Sequence, residues 1–244
     1  MDAPLLRPFW GRVARRAWIL SLVLFVVLAG VRAAGLFGPA STRMLIMLGF
    51  FLMWFTPIVF LTRDGRRRIG IRKPVNTKWM VAAPVIGAAG GLTLFALGYW
   101  WFGTGPDNWY LSILRSWDIT DGMQDDLGTL TLVLMFAIPS ALFSPIGEEI
   151  FFRGFVHESF RERWGYRVAL AANALAFAAV HGLHHGFQPG HFRPWSGLLW
   201  VALIAGVVML FQLCKERAGS IWASVLCHSA FNVAMTATVI FVLL

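Results

Sequence analysis

Seven apolar runs separated by short polar or basic segments organise this chain: residues 17–35, 44–62, 79–102, 128–147, 166–183, 196–214 and 220–243. Each approaches the ~20 residues that a tilted helix needs to cross a hydrocarbon layer. The pattern predicts an all-α polytopic membrane bundle of about seven transmembrane helices. Residues 1–127 supply the N-terminal helices and an acidic loop, and residues 128–244 a four-helix core, the two forming one integrated bundle. The first run follows Arg7, Arg12, Arg15 and Arg16 and ends in Ala33-Ala34-Gly35, as a cleaved signal would. Its apolar length exceeds that of such signals, so a retained signal-anchor is expected. Gly87-x-x-x-Gly91, beside Gly90, predicts a close helix approach in the third run, and Pro84 a kink there. Trp10, Trp79, Trp100 and Trp101 sit near run ends, where interfacial aromatics belong.

Composition agrees with the pattern. The chain is 58% hydrophobic and only 14% charged, with a mean hydropathy of +0.67, well below the charge content of a soluble domain. The net charge of +9 is spread over loops rather than one face, which points to phospholipid head groups and not to nucleic acid. Residues 1–16, 63–78, 148–167 and 215–217 carry 4, 7, 4 and 2 Lys or Arg, whereas the alternate segments carry only Arg32, Arg43, Arg115 and Arg193. That asymmetry predicts a cytoplasmic N-terminus. The loop 103–127, with Asp107, Asp118, Asp121, Asp125 and Asp126, then faces outward. Cys214 and Cys227 lie in or beside apolar runs and are expected to be packing thiols.

Three polar constellations interrupt the apolar runs: Glu148-Glu149-x-x-x-Arg153, Phe177-x-x-x-His181 and His228-x-x-x-Asn232. Ionisable or strongly polar groups at membrane depth cost several kcal/mol unless paired or hydrated, so they mark functional sites by default. Pro145 and Gly147 predict a weakened or restarted helix at Glu148, with an amphipathic continuation from Ile150 to Arg163. Glu148 stands 17 residues before the turn at Gly165 and His181 stands 16 after it. In an antiparallel hairpin both lie about 25 Å from the turn, so an acid faces an imidazole. Glu149 and Arg153, four apart, share a face and can pair, leaving Glu148 rotated towards the neighbouring helix. His228 and Asn232 present hydrogen-bonding groups along one stripe, a cradle for a developing oxyanion, although an asparagine serves equally as interhelical glue. Phe177 is expected to pack on a ring. His184, His185 and His191 form a second cluster, but their spacing matches no strong zinc signature and loop histidines are commonly solvated.

In order and spacing the three constellations, over roughly residues 128–240, resemble the CPBP family of CAAX proteases and bacteriocin-processing intramembrane proteins, related to the type II CAAX prenyl endopeptidase. The resemblance implies an intramembrane endopeptidase of glutamate-dependent type. In it Glu148 and His181 activate a water, His228 and Asn232 hold the oxyanion, and Glu149 and Arg153 buttress the site. It also implies a membrane-anchored protein or peptide as substrate. A glutamate–histidine pair suffices as general base, so no cofactor is expected; a metal-dependent version of the same protease would place an ion such as zinc on Glu148, His181 and His228. The resemblance is also compatible with a non-catalytic immunity or scaffold member. A proton- or cation-coupled transporter could use the same polar residues as a relay, but no repeat or pair of broken helices is visible. The expected location is a bacterial inner membrane.

Overall fold

The computed structural model describes residues 4–14, 16–116 and 127–243. Asp118, Asp121, Asp125 and Asp126 of the acidic loop and Arg15 of the basic N-terminus lie outside them. Along the chain run α1 (Pro8–Ala14), α2 (Ala17–Phe37), α3 (Met44–Val59), α4 (Arg63–Arg68), α5 (Lys78–Phe102), α6 (Trp109–Ser116) and α7 (Thr129–Glu148). A π-helical stretch (Glu149–Val156) continues α7 directly into α8 (His157–Trp164). Then come α9 (Tyr166–Gly182), a hairpin of two-residue strands β1 (Phe187–Gln188) and β2 (His191–Phe192), α10 (Pro194–Ala218) and α11 (Ile221–Leu243).

The all-α membrane bundle stands, and five of the seven expected runs have the length and hydropathy of a membrane span. Among the described residues five helical runs are long and apolar enough to cross a membrane: Ala17–Phe37, Lys78–Phe102, Thr129–Trp164, Pro194–Ala218 and Ile221–Val242. Met44–Val59 is apolar but shorter. The fifth run forms the 17-residue α9, only ~25 Å long. It ends at His181-Gly182, and just beyond it His185 meets Ser112 of α6. There the buried Trp109 stacks on Trp200 of α10 (centroids 5.6 Å apart).

The basic segments gather at one end of the bundle. Arg68 pairs with Glu158 (2.9 Å) and Glu162 (2.8 Å) of α8, and Arg72 donates to the Gly219 carbonyl (2.7 Å) between α10 and α11. Thr62 caps α4 by accepting from Gly65 N–H (2.9 Å), and the triple-arginine last turn complements the helix dipole. Gly165, at φ +81°, makes the α8–α9 turn in a conformation that only glycine adopts cheaply. The deepest helix contact is α5 on α11. The small-residue face forms as the glycine spacing predicts: Gly87 and Gly91 are buried, directly against the backbone carbonyls of Cys227 and Phe231. Pro84 lies inside an unbroken α5. Cys214 and Cys227 are buried free thiols.

Candidate active site

The expected weak point after Pro145 and Gly147 is a change of winding, not a restart: α7 passes without a break into the π-helical Glu149–Val156. Such wide turns are frequent at functional sites. The expected amphipathic continuation is also corrected. All eight π-helical residues are buried, because α2, α3, α9 and α11 pack around them, and only α8 turns polar side chains outward.

Glu148 and Glu149 are both fully buried, and their partners come from different directions. Glu149 Oε1 accepts from His228 Nδ1 (2.8 Å) and Oε2 from the Ser224 hydroxyl, while Arg153 Nε approaches Oε2 at 3.2 Å. The Glu149–Arg153 pairing thus forms as the four-residue spacing predicts. The Glu149–His228 bond, between groups 79 residues apart, has no local signal. The Arg153 guanidinium lies over the Phe177 ring at 3.9 Å, so the aromatic at that position screens a buried cation as well as stacking on His181 (centroids 4.2 Å).

Glu148 Oε1 is bound by Arg32 Nη1 at 2.6 Å, and Oε2 accepts from Ser144 (3.0 Å) with His228 Nε2 at 3.8 Å. His181 and His228 are the imidazoles that line the cavity beside it. His181 Nδ1 donates to the Phe177 carbonyl (2.8 Å). That bond fixes the tautomer and leaves the Nε2 lone pair available. His228 stacks on Phe211 (centroids 4.6 Å). Asn232 donates to the Ser140 carbonyl of α7 (2.8 Å), which anchors α11 to α7 and fixes where the carboxamide stands.

These groups surround a cavity of about 430 Å³ whose wall includes Arg32, Ser144, His181, His184, His228 and Asn232, the rest being largely apolar. Glu148 sits just behind that wall, under Arg32 and Ser144. A polar spot in an apolar hollow concentrates electrostatics and excludes bulk water.

Two expectations need correction. Arg32, grouped by sequence with the loop charges, lies within α2 and is buried. The signal was an arginine inside an apolar run, which needs a partner at that depth. His184 and His185 are not solvated but buried. Arg32 donates to His184 Nε2 (2.7 Å from Nη2). His185 bridges Ser112 and Ser196 (2.9 Å each), and Ser196 donates to Asp107 (3.0 Å). Burial foremost, and then the Arg32 cation, holds His184 well below the ordinary histidine range. His191 is exposed on the hairpin.

No three His, Cys, Asp or Glu side chains among the described residues gather closely enough to hold an ion, and a guanidinium already occupies Glu148 Oε1.

Apolar helices of bilayer length around a buried, charge-balanced cluster define an integral membrane protein with a reactive centre inside the bundle. A family model, type II CAAX prenyl endopeptidase Rce1-like, matches residues 130–234. The match covers all three constellations, and over that segment the chain is similar to the type II CAAX prenyl endopeptidases. No curated protein and no solved structure matches the chain.

Proposed function

We propose that this protein is a glutamate-dependent intramembrane endopeptidase that hydrolyses a peptide bond of a membrane-anchored protein or peptide without a metal. One observation carries the reading. His181 and His228, from two helices, line a single cavity, and Glu148 from a third lies directly behind its wall under Arg32 and Ser144.

In this reading a water in the cavity is polarised by Glu148 and His181 and attacks the scissile carbonyl carbon. Its proton passes to the Glu148–His181 pair and then to the departing amine. The tetrahedral oxyanion lies against Asn232, whose carboxamide is already oriented by Ser140, and His228. Glu149 accepts from His228 Nδ1 and, with Arg153, buttresses that ring. The water's proton, held by the Glu148–His181 pair, offsets the negative charge of the oxyanion until it passes to the amine. The basic end of the bundle faces the cytoplasm of a bacterial inner membrane.

The test uses protein reconstituted in lipid nanodiscs and a farnesylated peptide with a CAAX-type C-terminus, the substrate class in the matched family's description. Product is followed by mass spectrometry. Wild type should release the C-terminal fragment, and Glu148→Ala and His181→Ala should abolish release while helicity is unchanged. Full activity in a well-folded Glu148→Ala protein would refute the assignment. Membrane proteomes of cells carrying wild type or Glu148→Ala extend the search to natural substrates.

A further inference from the structure

The best-connected side chain in the centre belongs to none of the three constellations. Arg32 lies on α2, outside the matched segment 130–234, yet it makes the shortest contact to Glu148, at 2.6 Å. Its planar fork is used in two directions. Nη1 binds the carboxylate, and the Nε–Nη2 edge straddles His184 Nε2 at 3.2 and 2.7 Å. To accept those bonds His184 must be neutral and carry its proton on Nδ1, the state that burial and the adjacent cation favour. A third contact, 5.7 Å to the Phe50 ring on α3, closes the remaining side. Arg32, His184 and Phe50 all line the cavity.

We propose that Arg32 is the positioning residue of the Glu148 carboxylate: clamped by His184, it ties down Oε1 and turns Oε2 towards the reacting water. This rests on the peptidase reading. Oε2 is the oxygen held by Ser144 and facing His228 Nε2, so the two oxygens have separate tasks. Simple neutralisation of a buried charge would ask less, since any cation within a few ångströms would serve. A guanidinium held in a fork by two different acceptors fixes direction, which a lysine ammonium does not. Charge-assisted bonds of this length are also the strong ones.

The variants separate positioning from charge balance. Arg32→Lys keeps the cation and should unfold at a temperature close to wild type. Its kcat should nevertheless fall at least ~30-fold with KM nearly constant, as for loss of an interaction that matters in the transition state. Arg32→Ala should lose ~100-fold or more in kcat, and added guanidinium should recover at least about tenfold of that loss; Glu148→Ala should gain nothing from guanidinium. Arg32→Lys within about threefold of wild type, or an Arg32→Ala protein that guanidinium does not rescue, overturns the proposal. If wild type cleaves no peptide, the peptidase reading has failed, and the clamp is then judged from stability alone. Arg32→Leu should lower the unfolding temperature, and adding Glu148→Gln should restore most of the loss. Additive losses in that double variant overturn the pairing on which the positioning role depends.

Discussion

Inserting one methyl group on α5 tests how the helices outside the matched segment hold the centre. A Cβ at Gly87 would run into the Cys227 carbonyl oxygen, and one at Gly91 would lie 2.6 Å from the Phe231 carbonyl oxygen. Both obstacles are backbone, so relief requires the helices to separate. At Gly90 the nearest atom is Leu210 Cδ1 at 3.3 Å, the end of a flexible side chain. Alanine gains about 1 kcal/mol over glycine in a helix interior at every one of these positions. Overpacking against an unyielding neighbour costs about 1–3 kcal/mol. Gly87→Ala, with the harder collision, should therefore lose ~2 kcal/mol net and Gly91→Ala ~1 kcal/mol, whereas Gly90→Ala should be neutral or stabilised. Denaturant midpoints in mixed micelles, read by helical circular dichroism, give the order. Cys227 and Phe231 immediately precede His228 and Asn232, so separation of α5 from α11 also displaces both proposed oxyanion groups. Peptidase activity should fall further than stability. A Gly87→Ala protein as stable as Gly90→Ala would refute the close approach.

Two other perturbations bear on the buried charges. Glu149→Leu strands the fully buried Arg153 and should destabilise by about 3–5 kcal/mol. Adding Arg153→Met should recover much of it, and a double-variant coupling below ~0.5 kcal/mol would contradict the pairing. Recovery stays incomplete because Glu149 also holds His228 and Ser224. His185, outside the spanning helices, is pushed down to about 4, chiefly by burial. The unfolded chain therefore takes up its proton first as the pH falls. The contribution, up to roughly 3 kcal/mol, is complete above the ordinary histidine value and is lost as the pH falls from about 6.5 to about 4. Unfolding temperatures of wild type and His185→Asn should converge over that window, and parallel profiles would exclude the effect.

What the sequence made legible is what recurs at short range. The i, i+4 pairs Glu149–Arg153 and Phe177–His181 follow from helical period, and counting residues either side of Gly165 sets Glu148 and His181 at similar distances from that turn. The glycine face of α5 follows from its spacing. Long-range polar partners were beyond such reasoning. Arg32 is 116 residues from Glu148, and nothing around it distinguishes an arginine at a helix end from one inside the bundle except its apolar flanks. His184 and His185 follow the end of α9, and their burial depends on α6, whose own apolar stretch is too short to draw notice. The π-helical winding has no periodic signature at all. It emerges only when the helix must present Glu149 to α11 while Arg153 stays between Phe177 and Phe211.

Charge balance separates the matched segment from the functional unit. Within residues 130–234 the cluster holds two carboxylates, Glu148 and Glu149, but a single guanidinium, Arg153. The second cation, Arg32, arrives on α2. Inside a bundle with little water, an uncompensated carboxylate is far costlier than at a surface, and it tends to take up a proton instead. A protonated Glu148 would be useless as a base. In the proposed mechanism the helix that contributes Arg32 is thus part of the chemistry, and its own place is set by contacts with the same hairpin: Ser21 on α2 meets Ser159 on α8 at 2.8 Å, and Trp18 packs on Trp164 (centroids 5.0 Å). Those contacts and the Arg32–Glu148 pair lie at opposite ends of one helix–helix seam, so α2 can deliver its cation only where α7, the π-helical turn and α8 run as one continuous rod. The unbroken winding through Glu149–Val156 is in this sense a condition for an ionised Glu148.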